Sequence, residues 1–296
     1  MLKNIKSRVV SWKYWQEYNL AKRKFDNAEE TSCFLPAAEF EKFITRYGKI
    51  YAAPAQDYST EGMVKLAKER VAFIHNKIKI LPGAVLEIGP GSGFVLKEFK
   101  EQGVKRATAI DINDSLYPEV KAAGVEFIKT SAEKMDTIPN ANYDLIVSWS
   151  ALEHIPDPEK VFNECLRILK PGGYIFLQFG PLYYSPWGYH HYSILKCPYL
   201  HILFPETLIH EYARKVKGED YSGFLPWTNG KSIDYYQFLH KPLPYGYLLD
   251  QYESGYDIFS SRMIRKYPGI FRSKKIPFES FFVDWINIGI YKSIND

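Results

Sequence analysis

The chain has 296 residues, a formal net charge of +4, and 46% hydrophobic and 24% charged residues. This composition is typical of a folded globular protein and excludes an intrinsically disordered chain. The small positive charge is not gathered into a basic stripe, so we expect no nucleic-acid partner. Cys33, Cys165 and Cys197 are odd in number and widely spaced. That spacing fits neither a disulfide framework nor a paired-cysteine metal site, and it favours a reducing cytoplasm.

Residues 1–80 are predicted to form a helical extension, because apolar residues such as Phe40, Phe43 and Ile44 recur at helical spacing. The first segment, up to Trp15, mixes basic side chains with valine and tryptophan. We expect it to dock against the protein as an amphipathic helix, with contact to a membrane surface as the alternative. Because no run of about 18 apolar residues and no apolar signal-peptide core is visible, we expect an intracellular protein.

From Ala84 onward, short apolar runs alternate with helical patterns, which predicts βαβ units and a parallel sheet. The predicted strands are 85–88, 107–110, 127–129, 145–149 and 174–179, with a final strand at 285–291. The predicted helices between them are 91–102, 116–123 and 158–169.

Beyond Phe179 the alternation stops, and prolines lie among aromatic and histidine residues. Helices are predicted at 205–216 and 231–239, whereas 241–280 has no clear pattern. Rings of this kind either fill a core or line a pocket. The aromatic residues of this kind are Tyr183, Tyr184, Trp187, Tyr189, Tyr192, Tyr199, Tyr221, Trp227, Tyr235 and Tyr236.

The first predicted strand, 85–88, leads directly into a turn with glycine at positions 89, 91 and 93, and a helix follows. Glycine lets the backbone turn tightly and lets a ligand approach closely. Phe94 stands where a dinucleotide fingerprint has its last glycine, which disfavours a nicotinamide-dependent oxidoreductase. Asp111 ends the second strand about twenty residues later and is placed to bind ribose hydroxyls. The alternative for Asp111 is a helix cap or loop residue.

The motifs between Val85 and Phe179 resemble, in order, those of class I S-adenosylmethionine-dependent methyltransferases of the small-molecule type. Ser131 lies where that family usually has aspartate, and Glu133 is the nearby acid that can replace it. The resemblance assigns cofactor binding to Glu87, Gly89, Pro90, Gly91, Gly93, Asp111, Ile112, Ser131, Ala132, Glu133, Ser148 and Trp149.

The same resemblance implies an α/β, Rossmann-like fold with a seven-stranded, mostly parallel sheet whose last strand is antiparallel. The cofactor, S-adenosyl-L-methionine, is expected across the carboxyl ends of the first strands, where open α/β sheets bind ligands. We divide the chain into an N-terminal helical extension (1–80), a cofactor-binding core (81–180), an acceptor-binding insertion or cap (181–280) and a final strand that completes the sheet (281–296).

Methylation of a hydroxyl requires a base, and histidine suits this role because its pKa lies close to working pH. The candidate catalytic residues are His154, after strand four, and the pair His190 and His191, after strand five. The alternatives are a structural role for His154 and hydrogen-bonded loop positions for the pair. No metal site is expected, since the histidines lack acidic partners at ligand spacing beyond Glu206 and Glu211.

The loop 180–191 loosely resembles a loop of methyltransferases from bacterial surface-polysaccharide clusters. This resemblance implies O-methylation of a sugar or another small-molecule hydroxyl in cell-surface glycan synthesis. A lipid, quinone or natural-product acceptor is the alternative within the same class. Outside it, the chain could be a non-catalytic S-adenosylmethionine-binding interaction protein, because a fold does not guarantee chemistry. The sequence leaves the oligomeric state open.

Overall fold

The computed structural model describes residues 2–48, 57–190, 195–218, 228–240, 245–254 and 258–293. The chain forms two compact units, each built from separate segments. We call Ala55–Gly180, Tyr236–Tyr252 and Trp285–Asp296 the sheet unit, and the helical unit is Met1–Pro54, Pro181–Tyr235 and Glu253–Asp284.

Strands and helices alternate through the middle of the chain, and further helices flank this region on both sides. The strands are β1 (Ala84–Ile88), β2 (Arg106–Asp111), β3 (Glu126–Lys129), β4 (Tyr143–Trp149), β5 (Leu169–Phe179), β6 (Tyr245–Ser254) and β7 (Val283–Lys292). The α-helices are α1 (Leu2–Asp26), α2 (Phe40–Tyr47), α3 (Thr60–Ile78), α4 (Phe94–Glu101), α5 (Pro118–Ala122), α6 (Pro158–Ile168), α7 (Leu200–Leu203), α8 (Glu206–Lys217), α9 (Ile258–Lys266) and α10 (Pro268–Arg272).

One seven-stranded sheet, of order β3-β2-β1-β4-β5-β7-β6, forms the centre of the sheet unit. Strands β1 to β5 pair in parallel. β7 pairs antiparallel with β5, from Tyr174 opposite Tyr291 to Phe179 opposite Ile286. This arrangement confirms the Rossmann-like, mostly parallel sheet with an antiparallel last strand. β6 lies in the interval that the sequence pattern left unassigned.

The central strands are apolar and covered, as expected for a parallel sheet with helices around it. Every residue of β1 is buried. Helix α3 packs against α4, and its buried Val71 and Ile74 join one apolar cluster with Val85 of β1. The hydroxyl of Ser59 caps the start of α3 by accepting a hydrogen bond from Gly62 N at 3.1 Å.

Most predicted boundaries differ from the structure by one or two residues, and three elements differ by more or in the type of helix. Helix α4 begins at Phe94 rather than at 91, because Gly91 and Gly93 have positive φ angles of 53° and 83°. Strand β5 begins at Leu169, five residues before the predicted start, because Leu169 already pairs with Tyr143 ahead of an irregularity in the register. The predicted helix at 231–239 is a 3-10 helix, Ile233–His240.

Aromatic packing dominates the core of the helical unit, in which α1 packs against α9 and α10. Tyr199 is fully buried and its hydroxyl donates a hydrogen bond to Phe281 O at 2.5 Å. The buried rings of this cluster are Tyr14, Tyr18, Phe25, Phe40, Phe43, Tyr47, Tyr199, Phe204, Phe271, Phe278, Phe281 and Phe282. None of the helices in the described residues has an apolar stretch long enough to cross a bilayer.

Candidate active site

The glycine turn after β1 places its backbone in a conformation that other residues rarely adopt. Gly89, Gly91 and Gly93 have φ angles of 64°, 53° and 83°. A Cβ on Gly93 would lie 2.5 Å from Leu116 Cδ2, so the absent side chain allows close packing there. A Cβ on Gly91 would meet no described atom within 4 Å. The turn therefore has open space beside it at Gly91, where a ligand can approach the backbone.

Hydrogen bonds fix the turn to its neighbours. Gly89 N donates to Ile110 O at 3.0 Å, at the end of β2. The Ser115 hydroxyl donates to Gly91 O at 2.8 Å. The turn is thus held in a defined conformation before any ligand binds.

Asp111 is the last residue of β2 and is partly exposed. One of its oxygens accepts a hydrogen bond from Asn113 N at 2.9 Å, which orients the carboxylate. The next residue, Ile112, is 62% exposed, which is unusual for isoleucine beside a carboxylate. Together they offer an acceptor for hydroxyl groups and an apolar surface for a flat base.

The loop after β3 holds its acid within a local network. Glu133 Oε1 accepts a hydrogen bond from Asp157 N at 3.0 Å, and Oε2 accepts one from the Ser131 hydroxyl at 3.3 Å. The neighbouring Ala132 is buried. In this arrangement Glu133 orients the loop, and both of its oxygens already have partners.

Glu87 is a buried carboxylate one residue before the end of the otherwise apolar strand β1. It is 2% exposed, and its Oε2 has no hydrogen-bond partner among the described residues. Burial raises the pKa of Glu87 to about 8, and the positive charge of Arg70 acts in the opposite direction. A buried oxygen without a partner is costly, so this atom has the character of a ligand contact.

Arg70, on α3, is a site residue that the sequence reasoning did not single out. Its guanidinium lies 4.7 Å from the ring centroid of Trp149, and burial lowers its pKa while Glu87 raises it. The indole Nε1 of Trp149 is buried and has no described hydrogen-bond partner. Arg70 belongs to a helix before the first strand, so it has no fixed spacing to the sequence motifs. The only feature of the sequence that could have pointed to it is its position in the helical pattern of α3.

Ser148 and His154 occupy different environments on either side of the β4 terminus. The Ser148 side chain is fully buried, and its hydroxyl donates to Ile88 O at 3.0 Å, which links β4 to β1. His154 is part of a 3-10 helix, with Nε2 3.9 Å from Glu153 Oε1. Burial raises the pKa of Glu153 to about 8.

His190 lies in the helical unit and has a strained backbone, with φ at 58°. Its Nε2 is 2.8 Å from Pro181 O. Because a carbonyl oxygen only accepts hydrogen bonds, Nε2 carries the proton and, in the neutral ring, Nδ1 is the nitrogen that can take one up. His191 falls outside the described residues.

A small pocket in the helical unit has about the free space of one water molecule. Its lining residues are Pro186, Trp187, Tyr189, His190, Leu195, Cys197, Leu200 and His201. The Tyr189 ring stacks on His201, with centroids 5.5 Å apart, and its hydroxyl is 2.7 Å from His210 Nε2. The pocket thus combines apolar walls with hydrogen-bonded imidazole and phenol groups.

The predicted cofactor residues are therefore all in the sheet unit, in the last residues of adjacent parallel strands or in the loops that follow them. The predicted bases are divided, with His154 in the sheet unit and His190 in the helical unit. The strand order, the antiparallel β7 and the glycine turn followed by Asp111 match the arrangement that the resemblance to class I S-adenosylmethionine-dependent methyltransferases implies.

The family model described as a methyltransferase domain matches residues 86–177 of this chain. This segment begins within β1 and ends within β5, so it includes the glycine turn, Asp111 and the loop at 131–133. S-adenosylmethionine is the cofactor of this class.

Ubiquinone biosynthesis O-methyltransferases are among the similar curated proteins. The one from Nitrosomonas europaea is 31% identical over 139 residues, which cover 45% of this chain and 57% of the relative. The one from Saccharophagus degradans is 25% identical over 162 residues, covering 53% and 66%. The chain thus spans between about half and two thirds of the length of these relatives.

Among solved structures, an S-adenosylmethionine-dependent methyltransferase from Archaeoglobus fulgidus is similar, with 20% identity and a TM-score of 0.40. That similarity covers 77% of this chain and 94% of the other.

The residues of the site fit S-adenosylmethionine. Glu87 Oε2 is buried and has no partner among the described residues, so it can accept a hydrogen bond from a positively charged ammonium group. Asp111 can accept hydrogen bonds from ribose hydroxyls, and the exposed Ile112 can cover one face of adenine. Gly91 leaves space for the ligand against the backbone.

Proposed function

We propose that this protein is an S-adenosylmethionine-dependent O-methyltransferase that acts on a small-molecule hydroxyl, with an aromatic hydroxyl of the quinol type as the preferred acceptor. The observation that carries the proposal is the conjunction of the open glycine turn, the buried Glu87 with its unpartnered oxygen, and Asp111 at the end of the next strand.

In this proposal each cofactor residue has a distinct task. Glu87 binds the α-ammonium group, and the Arg70 charge favours the ionised form of Glu87 that this contact requires. Asp111 binds the ribose hydroxyls and Ile112 contacts the base. Pro90 and Ala132 shape the turn and the adenine loop, and Ser148 and Trp149 contribute backbone and ring surface from β4. The bound cofactor supplies an electrophilic methyl group.

His190 is proposed as the base that takes the acceptor proton. The Pro181 carbonyl accepts the proton of Nε2, so the neutral ring would take up a further proton at Nδ1. If the acceptor hydroxyl binds beside His190, Nδ1 would take up its proton while the oxygen forms a bond to the methyl group and the methyl–sulfur bond breaks, with the electron pair left on sulfur. His191 and His154 remain alternative candidates for the same step.

Two observations support an aromatic acceptor over a sugar. The relatives described above are named for ubiquinone biosynthesis, whereas none of those relatives is named for a glycan. The side chains around His190 are apolar or aromatic, including Trp187, Leu195 and Leu200, which is the surface chemistry that an aromatic ring prefers. The free space among them is that of about one water molecule, so an acceptor binds there only after these side chains move apart. A sugar would need more hydrogen-bonding side chains to replace its hydration.

The first experiment is isothermal titration of the protein with S-adenosylmethionine and S-adenosylhomocysteine, followed by methyl transfer from labelled cofactor to catechols, quinols and sugar nucleotides. We expect micromolar binding, and methylation of the aromatic hydroxyls. Asp111→Ala should weaken binding by about 100-fold, because a charged acceptor of two hydrogen bonds is lost.

Asp114→Ala is the matched control, since Asp114 lies in the same loop but pairs with Lys121 at 2.7 Å. Its cofactor affinity should match that of the wild type. Absence of binding by folded wild-type protein would refute the methyltransferase proposal. Binding without transfer to any hydroxyl would favour a cofactor-binding interaction protein, and transfer to sugars alone would reverse the acceptor assignment.

A further inference from the structure

Helix α1 presents two different faces along its described side chains. One face, with Tyr14, Tyr18, Ala21 and Phe25, is buried in the aromatic core of the helical unit, where α1 packs against α9 and α10. This face fixes the orientation of the helix. The opposite face of the helix consequently points away from this core, so packing against the core does not explain which residues it carries.

The outer face carries large apolar side chains in unusually exposed positions. Trp12 is 61% exposed, Trp15 is 53% exposed and Leu20 is 43% exposed. At 100° per residue, these three side chains lie within the half of the helix circumference that is opposite to the buried face. Tryptophan is seldom left so exposed, because its ring has a large apolar area.

The same half of the helix carries a net positive charge. Lys13, Arg23 and Lys24 are exposed, and no carboxylate of the described residues lies within ion-pair distance of them. The two acids of α1 are already neutralised by other cations. Glu17 pairs with Arg262 and Arg265 at 3.1 and 3.0 Å, and Asp26 pairs with Lys22 at 2.9 Å.

This combination matches the chemistry of an anionic bilayer surface. Indole rings prefer the headgroup region, where the apolar body is buried and the N–H stays hydrated. Each basic residue near an anionic surface adds electrostatic attraction. A second copy of the chain fits less well, because a two-fold contact through this face would bring like charges together.

We propose that the outer face of α1 is a peripheral docking surface for anionic lipid, on which the helix lies along the bilayer. Trp12 and Trp15 insert their rings among the headgroups, and Lys13, Arg23 and Lys24 contact lipid phosphates. The inference does not depend on the methyltransferase proposal, since neither cofactor nor acceptor takes part.

The test is flotation of the purified protein with vesicles of phosphatidylcholine alone, or with about 30 mol% phosphatidylglycerol added. We expect binding to the anionic vesicles only, and its loss at high salt as the charges are screened. Trp12→Ala with Trp15→Ala should lower the partition coefficient at least about tenfold. Arg23→Glu with Lys24→Glu should remove the preference for anionic lipid.

Tyr58→Ala is the matched control, because Tyr58 is a 73% exposed aromatic residue of the sheet unit. It should bind vesicles as the wild type does, and circular dichroism and melting temperature establish that every variant is folded. The proposal is overturned if the wild type binds no vesicle, if neutral and anionic vesicles bind equally, or if the tryptophan variant binds unchanged. Loss of a dimer in sedimentation velocity on tryptophan removal, without any vesicle binding, would instead assign the face to a second copy.

Discussion

The sheet unit and the helical unit are each stabilised internally by a different kind of contact. In the sheet unit, buried aliphatic strands such as Val85–Ile88 are paired by a regular backbone ladder. In the helical unit, rings such as Phe281 and Tyr199 pack edge to face or tilted around one aromatic core. The ladder fixes positions through the main chain, whereas the aromatic core fixes them through individual side chains.

Cofactor binding and the proposed proton transfer depend on these two kinds of contact separately. The cofactor residues follow strand ends, so their positions depend on backbone geometry that many sequences can produce. The proposed base and the pocket beside it depend on particular rings and on one strained residue, His190. We therefore expect substitutions in the sheet unit to change cofactor affinity, and substitutions at the pocket to change turnover.

The largest expected effect is on turnover at the pocket. His190→Asn, which tolerates a positive φ but cannot take up the proton, should lower kcat about 100-fold to 10,000-fold and leave cofactor affinity unchanged. Steady-state kinetics and isothermal titration measure the two quantities. His240→Asn is the matched change in the sheet unit, where the ring pairs with Asp250, and kcat should stay at the wild-type value. Equal kcat for His190→Asn and wild type would remove His190 as the base.

The next effect is on cofactor affinity at the buried pair in the sheet unit. Arg70→Ala should weaken S-adenosylmethionine binding about tenfold to 100-fold, because Glu87 then loses the nearby charge that favours its ionised form. Lys68→Ala, exposed on the same helix, should bind normally.

The pH dependence gives a second readout for this pair. Since the pKa of free Glu87 is about 8, wild-type affinity should rise with pH up to that value as the carboxylate ionises. Glu87→Gln should bind weakly and without this dependence. If Arg70→Ala bound as tightly as wild type at every pH, Arg70 would have no part in the site.

A smaller effect concerns the pH dependence of stability. Burial raises the pKa of Glu153 from 4.5 in the unfolded chain to about 8 in the folded protein. Glu153 therefore stays protonated to higher pH in the folded protein than in the unfolded chain. The stability that this protonated carboxyl contributes is complete below pH 4.5 and is lost as pH rises through 8. Glu153→Gln should remove up to about 1 kcal/mol per pH unit from the slope between these values.

Urea unfolding across that pH range measures the slope. Glu164→Gln is an informative contrast. An arginine partner and a backbone amide hold the pKa of Glu164 below its usual value, so its contribution to stability rises with pH instead of falling. A Glu153→Gln profile parallel to that of the wild type would contradict the buried, protonated carboxyl.

The smallest predicted effect is confined to the helical unit. Tyr199→Phe removes the buried hydrogen bond to Phe281 O and should lower the free energy of unfolding by about 1 to 3 kcal/mol, because the carbonyl is left without its donor. Thermal melting measures the loss, and cofactor affinity should be unaffected. Tyr117→Phe, at a partly exposed tyrosine, is the control and should change stability by less than about 0.5 kcal/mol.

The sequence predicted most of the sheet unit, because its signals are local. Gly89 to Gly93 between a buried strand and a helix, and Asp111 after the next strand, define their positions through the strand register. β6 escaped prediction because it has no apolar alternation of its own, and its neighbour β7 comes about thirty residues later in the chain.

The site residues that sequence could not specify are those fixed by contacts between distant segments. Arg70 reaches Glu87 and Trp149 from α3, and no spacing rule connects a helix register to a strand. The buried side chain of Ser148 turned out to bond Ile88 O, because its direction depends on which sheet face β4 presents at that position. His190 was predicted as a candidate, but its strained backbone and its bond to Pro181 O follow only from the folded loop.

The interleaving of the two units limits how the gene product can be shortened or rearranged. The chain passes between the units after residues 54, 180, 235, 252 and 284, so neither unit corresponds to one continuous stretch of sequence. β7, near the end of the described chain, occupies an interior position in the sheet between β5 and β6. During synthesis on the ribosome, β5 must therefore wait with an unpaired edge until β7 emerges, and a stop codon before Val283 would leave that edge permanently exposed to aggregation.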